Sequence, residues 1–284
     1  MRRAAKPDHA VLTRQRTRVL GLLDEYTYLR TKHFYELLPN EGSATNETWE
    51  RGIRRCLQLA EGVGLLTHEE VHERLPNSRS GFNHSESIYY RYGKRSPHSL
   101  NHDIAITEFH LALKRAVGKF GVQLFWRQVD LRRGGLNPDA FFALHPGSER
   151  AKHWFFLEVE TSRQGHYRRN ENSALVQKLR AYDDLTSDQV AKDWNFDDFR
   201  VIVLVKNAAR AVNLIRKLSA VLPYRFIWIG ANDSVLRHGA CSGVFFTPSD
   251  YHQASYSLLD VCEPRDPVHD RGLAVALAED HGCF

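Results

Sequence analysis

The sequence predicts a two-part α+β / α/β chain, with an N-terminal winged helix-turn-helix and then a mixed sheet flanked by helices. Before residue 62, apolar residues recur at helical spacing in three short segments, and two β-like runs follow. Beyond residue 99 the pattern becomes a helix, three strands and then alternating helices and strands. Between the two parts lies Gly93-Lys94-Arg95-Ser96-Pro97-His98-Ser99, a polar, basic, proline-bearing stretch that reads as a domain boundary.

In the first part, residues 10–93, Leu12, Val19, Leu20, Leu22, Leu23 and Tyr26 make an apolar stripe that predicts a helix over Thr13 to Glu25. A second helix starts near Thr31, turns Phe34, Leu37 and Leu38 inward, and stops at Pro39-Asn40. A third starts near Asn46, buries Trp49, Ile53, Leu57 and Leu59 or Ala60, and ends at Glu61-Gly62-Val63-Gly64. Runs at Leu65–Glu73 and Ser87–Tyr92, joined by a polar loop, supply a hairpin.

That arrangement points to DNA. The third helix has the form of a major-groove reader, with Arg51, Arg54 and Arg55 aimed at phosphates or guanine edges. Arg79, in the loop, is a candidate contact to a neighbouring phosphate. A solvated basic helix or a protein-binding module stays open as the alternative.

In the second part, residues 99–262, a helix is expected from Leu100 to Lys119, with strands at Val122–Val129, Asn137–Leu144 and His153–Thr161. A helix at Ser173–Leu185 follows, then a strand at Arg200–Val205, a helix at Ala208–Val221 and a strand at Arg225–Gly230. After their leading Arg200 and Arg225, the runs at 200–205 and 225–230 are apolar, as strands covered on both faces are. Residues 263–284 read as a polar tail.

Within this pattern the acidic residues are specific in position. Pro138-Asp139 falls on the second strand of a hairpin, and Glu158-Val159-Glu160 on the third. Alternation along a strand points Glu158 and Glu160 to one face, and Asp139 lies on the neighbouring arm. Three carboxylates meeting there would repel unless a divalent cation or protons neutralised them, and hard oxygen ligands suit Mg²⁺ or Mn²⁺. On the next helix Lys178 and Tyr182, four apart, share a face that would lean over the acids. Plainer roles stand beside these: Asp139 as a turn cap, Glu160 paired with Arg163 or Arg168, Lys178 solvated and Tyr182 as core. His102 and Asp103, at a helix start, read either as a cap or as site residues.

Pro138-Asp139, Glu158-Val159-Glu160 and the helix bearing Lys178 resemble the PD-(D/E)xK nuclease superfamily, which implies a restriction-endonuclease-like domain. The resemblance implies metal binding by Asp139 and Glu158 and a lysine assisting the attacking water. Glu160 stands where that lysine is expected, and Lys178 is placed where a migrated one would be. Over residues 10–230 the chain also resembles the replication-relaxation family of plasmid and mobile-element proteins. The features that carry this likeness are the winged helix, Ser99-Leu100-Asn101-His102-Asp103, Asn137-Pro138-Asp139-Ala140 and Leu157-Glu158-Val159-Glu160. It implies a metal-dependent DNA-nicking nuclease or relaxase. A regulator or replication accessory protein with a degenerate nuclease fold is the alternative.

Composition limits the partners. A net charge of +5 is compatible with double-stranded DNA without demanding it. The four cysteines show no zinc spacing and read as reduced thiols. Neither a signal peptide nor a membrane span is expected, so a cytoplasmic protein is, with a homodimer left open and no organic cofactor implied.

Overall fold

The computed structural model describes residues 14–38, 45–73, 84–91, 100–128, 136–147, 152–160, 174–184, 199–222, 224–249 and 255–259. The expected boundary at 93–99, Arg79, Arg163, Arg168 and the tail 263–284 lie outside them. The chain divides into two compact units, residues 1–107 and 108–284.

The first unit holds α1 (Arg14–Glu25), β1 (Leu29–Arg30), α2 (Thr31–Leu37), α3 (Asn46–Gly62), β2 (Leu66–Glu73) and β3 (His84–Arg91). Its strands form an antiparallel sheet in the order β1-β3-β2. The helical stripes supply the core: Val19, Leu20 and Leu23 from α1, Phe34 from α2, and Ile53, Cys56, Leu57 and Ala60 from α3 are buried. Thr45 starts α3, its hydroxyl accepting the Thr48 N–H at 3.4 Å. β1 was not expected. Two residues are too few to show a period, and only their pairing with Tyr89 and Ile88 defines the strand.

The division between the units falls within α4 (Leu100–Gly118). Then come β4 (Gln123–Arg127), β5 (Ala140–His145), β6 (His153–Glu160), α5 (Ala174–Asp183), β7 (Phe199–Val205), α6 (Ala208–Val221), β8 (Ile227–Ala231), α7 (Asn232–His238) and β9 (Phe245–Phe246). The six strands form one mixed sheet in the order β4-β5-β6-β7-β8-β9. β6, β7 and β8 run parallel, and the remaining pairs are antiparallel. The α+β class is therefore observed, with seven helices among the described residues. None of these helices is long and apolar enough to cross a membrane.

Side-chain alternation divides the core of the second unit. On one face Phe156, Val201, Val203, Ile227 and Ile229 pack with α5 and α6 through Leu179, Leu214 and Leu218. On the other, Phe109 of α4 meets Phe142, which stacks on Phe155 at 4.7 Å. β7 and β8 are buried along most of their length, as their apolar runs predict.

Two boundaries differ from expectation in a way that matters. β5 begins at Ala140, so Asp139 precedes the strand instead of lying within it. Pro138 has no N–H for the ladder, and regular pairing with β6 starts only beyond it. α7 and β9 were also unforeseen; β9 is two residues long and exists through its pairing with Ile229 and Gly230.

Gly230 is required at this last junction. A Cβ there would lie 2.6 Å from Cε1 of Phe245, whose ring is fully buried across the strand. Gly230→Ala is expected to cost about 1–3 kcal/mol, the usual penalty for overpacking a core. Denaturant unfolding checks this, with an unchanged midpoint as the opposing result.

Candidate functional site

The second unit contains a buried ionisable cluster at the C-terminal end of β6. Glu158 is 3% exposed, in a strand whose preceding residues Phe155, Phe156 and Leu157 are also buried. A carboxylate in that position needs compensation, because losing water costs a charge several kcal/mol. Both of its oxygens are compensated from α5. Lys178 Nζ donates to Oε2 at 2.5 Å, and the Tyr182 hydroxyl donates to Oε1 at 2.5 Å.

The reason lies in helical geometry. Residues 178 and 182 are one turn apart on α5, while Val176 and Leu179 turn into the core and fix that helix against the sheet. Tyr182 is buried against Phe156 at 5.1 Å between ring centroids. The Lys178 side chain remains 30% exposed, so the cluster is open to solvent along it.

Asp139 completes the cluster from the start of β5. Its N–H donates to the Leu157 carbonyl at 3.0 Å, and its Oδ2 accepts the Val159 N–H at 2.7 Å. The carboxylate thus continues the ladder where β5 has not yet begun. Asp139 is also close enough for its charge to be felt at Glu158. Burial first, and then Asp139, push the Glu158 carboxyl up to about 7, against the opposing pull of Lys178 and Tyr182. Burial and the same carboxylate raise the Tyr182 hydroxyl well above its usual range, so it remains a protonated donor. Held inside the protein and aimed at Glu158, it is a poor nucleophile.

Glu160 lies two residues beyond Glu158, half-buried at the strand end opposite Val205 of β7. No three acidic, imidazole or thiol groups gather around one point among the described residues. What the structure brings together is Asp139, Glu158, Lys178 and Tyr182. His102 and Asp103 pair with each other at 3.4 Å at the start of α4.

In the first unit Arg51, Arg54 and Arg55 are all exposed on α3. Arg51 donates to Glu47 at 2.8 Å, and Arg54 to Glu50 at 3.4 Å, one turn back in each case. Such exposed pairs contribute only about 0.3–0.5 kcal/mol and yield readily to a phosphate. Arg54 is further held by the Tyr35 hydroxyl of α2 at 2.6 Å, beside Trp49. The i,i+4 acids are readable in the sequence. The Tyr35 contact, nineteen positions away, leaves no local signal. Arg55 has no carboxylate partner among the described residues.

Set against known proteins, residues 62–197 match the family described as replication-relaxation. No curated protein and no solved structure matches the chain. The matched span contains Asp139, Glu158, Glu160, Lys178 and Tyr182 and stops short of the arginines of α3.

The elevated Glu158 carboxyl has a consequence for stability. The folded state holds this proton more tightly than the unfolded chain does. The contribution is therefore fully present below the ordinary value of 4.5 and is lost as pH rises through about 7. In the presence of chelator, unfolding free energy should fall across that window more steeply in the native protein than in Glu158→Gln. Parallel curves for the two proteins would contradict this.

Proposed function

We propose that this chain, which carries a replication-relaxation family segment at residues 62–197, binds double-stranded DNA and nicks it at the Asp139–Glu158–Lys178 site. The family points to a role in replication or mobilisation, of which plasmid or mobile-element DNA is the fitting substrate. The observation that carries the reading is the buried Glu158 carboxylate, flanked by Asp139 and met by the Lys178 ammonium where the parallel strands end. Ligand sites of open α/β sheets lie at such strand ends.

Each residue has a task that its surroundings support. Lys178, linked to Glu158 yet reaching solvent, places a positive charge where a scissile phosphate would sit. Tyr182 holds the Glu158 carboxylate in place, and Asp139 is braced by the backbone of β6. The PD-(D/E)xK likeness is supported by the adjacency of Asp139 and Glu158 across the β5–β6 hairpin and by Lys178 arriving from α5.

The donor set fits a hard cation on modest terms. Magnesium is commonly held by one or two carboxylates with water filling the rest, so Asp139 and Glu158 would hold Mg²⁺ or Mn²⁺ without Glu160. When bound, the ion would supply a water of lowered pKa and charge stabilisation at the phosphate.

The three helices and the β1-β3-β2 sheet of the first unit support a winged helix-turn-helix with α3 as the reading helix. Arg55 meets a phosphate without first releasing a carboxylate partner among the described residues, whereas Arg51 and Arg54 must each give up a weak intrahelical pair. Arg55→Ala should weaken duplex binding more than Arg51→Ala and reduce the salt slope by about one. A salt titration of affinity checks it, and an unaltered slope is the contrary result.

For the nicking step, supercoiled DNA with Mg²⁺ or Mn²⁺ should be relaxed by the native protein. The Asp139→Asn, Glu158→Gln double variant should be slower by about 100-fold or more, and chelator should abolish the reaction. DNA left equally intact, or cut equally well, by both proteins sinks the nuclease reading. A non-catalytic accessory role is favoured by one observation: both Glu158 oxygens are already engaged by Lys178 and Tyr182. Duplex binding without cleavage and indifferent to chelator would select it.

A further inference from the structure

We propose that the β4 end of the six-stranded sheet is a stacking subsite for single-stranded DNA, formed by Phe125 and Trp154 with Lys152 beside them. The inference rests on the DNA-acting reading above and names where an unpaired strand would lie.

β4 is an edge strand, and its register with β5 and β6 aligns Phe125, Ala143 and Trp154 in one row across the sheet. Small Ala143 leaves the two aromatic side chains to meet over it, with ring centroids 6.4 Å apart. Trp154 lies flat on Phe141, at 5.2 Å and 8° between planes, so the buried Phe141 is a rigid floor for it. Phe125 is left 53% exposed, an unusual surface for a large ring in a sheet. Lys152, exposed, sets its ammonium 5.9 Å from the centre of the Trp154 ring.

Charge selects the occupant. No Asp or Glu occurs on β4, on β5, or on β6 before Glu158. Arg127, two residues from Phe125, adds a second cation on the same side of the edge strand. Aromatic faces interleaved with cations are what an unpaired strand requires, because its bases offer free π-faces and its phosphates need neutralising. A duplex stacks its bases internally and offers none. Two rings and a lysine also fall well short of the roughly 800 Å² per partner that a stable protein interface buries.

Position ties this surface to the site. Trp154 and Glu158 are on the same face of β6, four residues and so about 13 Å apart. Phe156, between them on that face, is fully buried against Tyr182, so a strand stacked on Phe125 and Trp154 would lie at the sheet edge, outside the packed core. The subsite would thus hold the strand that melting or nicking releases.

The test uses the full chain with a labelled oligo(dT) of about 15 nucleotides, within the site sizes such grooves accept, and with a duplex of equal length. Phe125→Ala combined with Lys152→Ala changes two exposed side chains, and Trp154→Ala removes the second ring. The first variant should lower oligo(dT) affinity about tenfold or more while leaving duplex affinity unchanged, and Arg55→Ala should do the reverse. Trp154→Ala should match the loss if its circular dichroism shows it folded. Unchanged oligo(dT) affinity in the double variant overturns the proposal, and so does an equal loss for the duplex. A change of oligomeric state in that variant would mark the patch as a contact between copies and overturn it too. Native protein that binds duplex but not oligo(dT) defeats the subsite alone, whereas binding neither defeats the DNA reading with it.

Discussion

A carboxylate enclosed at the end of a central strand is the constraint around which the second unit is organised. Glu158 is almost wholly withdrawn from water, and a charge so placed costs several kcal/mol unless its oxygens are met. Both partners come from one turn of α5. That helix must therefore sit at one height and one rotation relative to β6. Val176 and Leu179 set the rotation by entering the core, and Tyr182 sets the height by packing on Phe156 while its hydroxyl reaches the acid. The apolar core and the polar cluster are two results of the same packing. Stripping away one partner leaves a buried acceptor unmet, which costs far more than a typical hydrogen bond contributes.

Most of this arrangement is legible in the sequence. The 3.6 and 2.0 periods locate nearly every helix and strand, and the spacing of Lys178 and Tyr182 announces a shared face directed at the acids. What escaped was of three kinds. β1 and β9 are two residues long, so no pattern can form within them, and only partners far away in the chain define them. The start of β5 was misplaced because the ladder begins after Pro138, and Asp139 substitutes its side chain for the missing backbone acceptor. Tyr35 meets Arg54 across two helices, a contact that depends on their crossing rather than on any local spacing.

The acids illustrate a different limit. Strand alternation correctly places Glu158 and Glu160 on one face, but it says nothing about distance from a third group. Asp139 and Glu158 are neighbours across a hairpin, whereas no trio closes around a point among the described residues. The proposed nicking reaction is therefore framed around two carboxylates and a lysine, not around a three-acid cage. In that proposal the ammonium is supplied by Lys178 from α5.

The account stands on Glu158 being a buried acid shared between Lys178, Tyr182 and the field of Asp139. The most direct measurement is a carbon-detected NMR titration of its side-chain carboxyl in metal-free buffer. A midpoint near 7, accompanied by shifts at the Lys178 ammonium-bearing carbon, is the expected result. A midpoint near the ordinary value of 4.5, with Lys178 unperturbed, would show an exposed acid and contradict the arrangement.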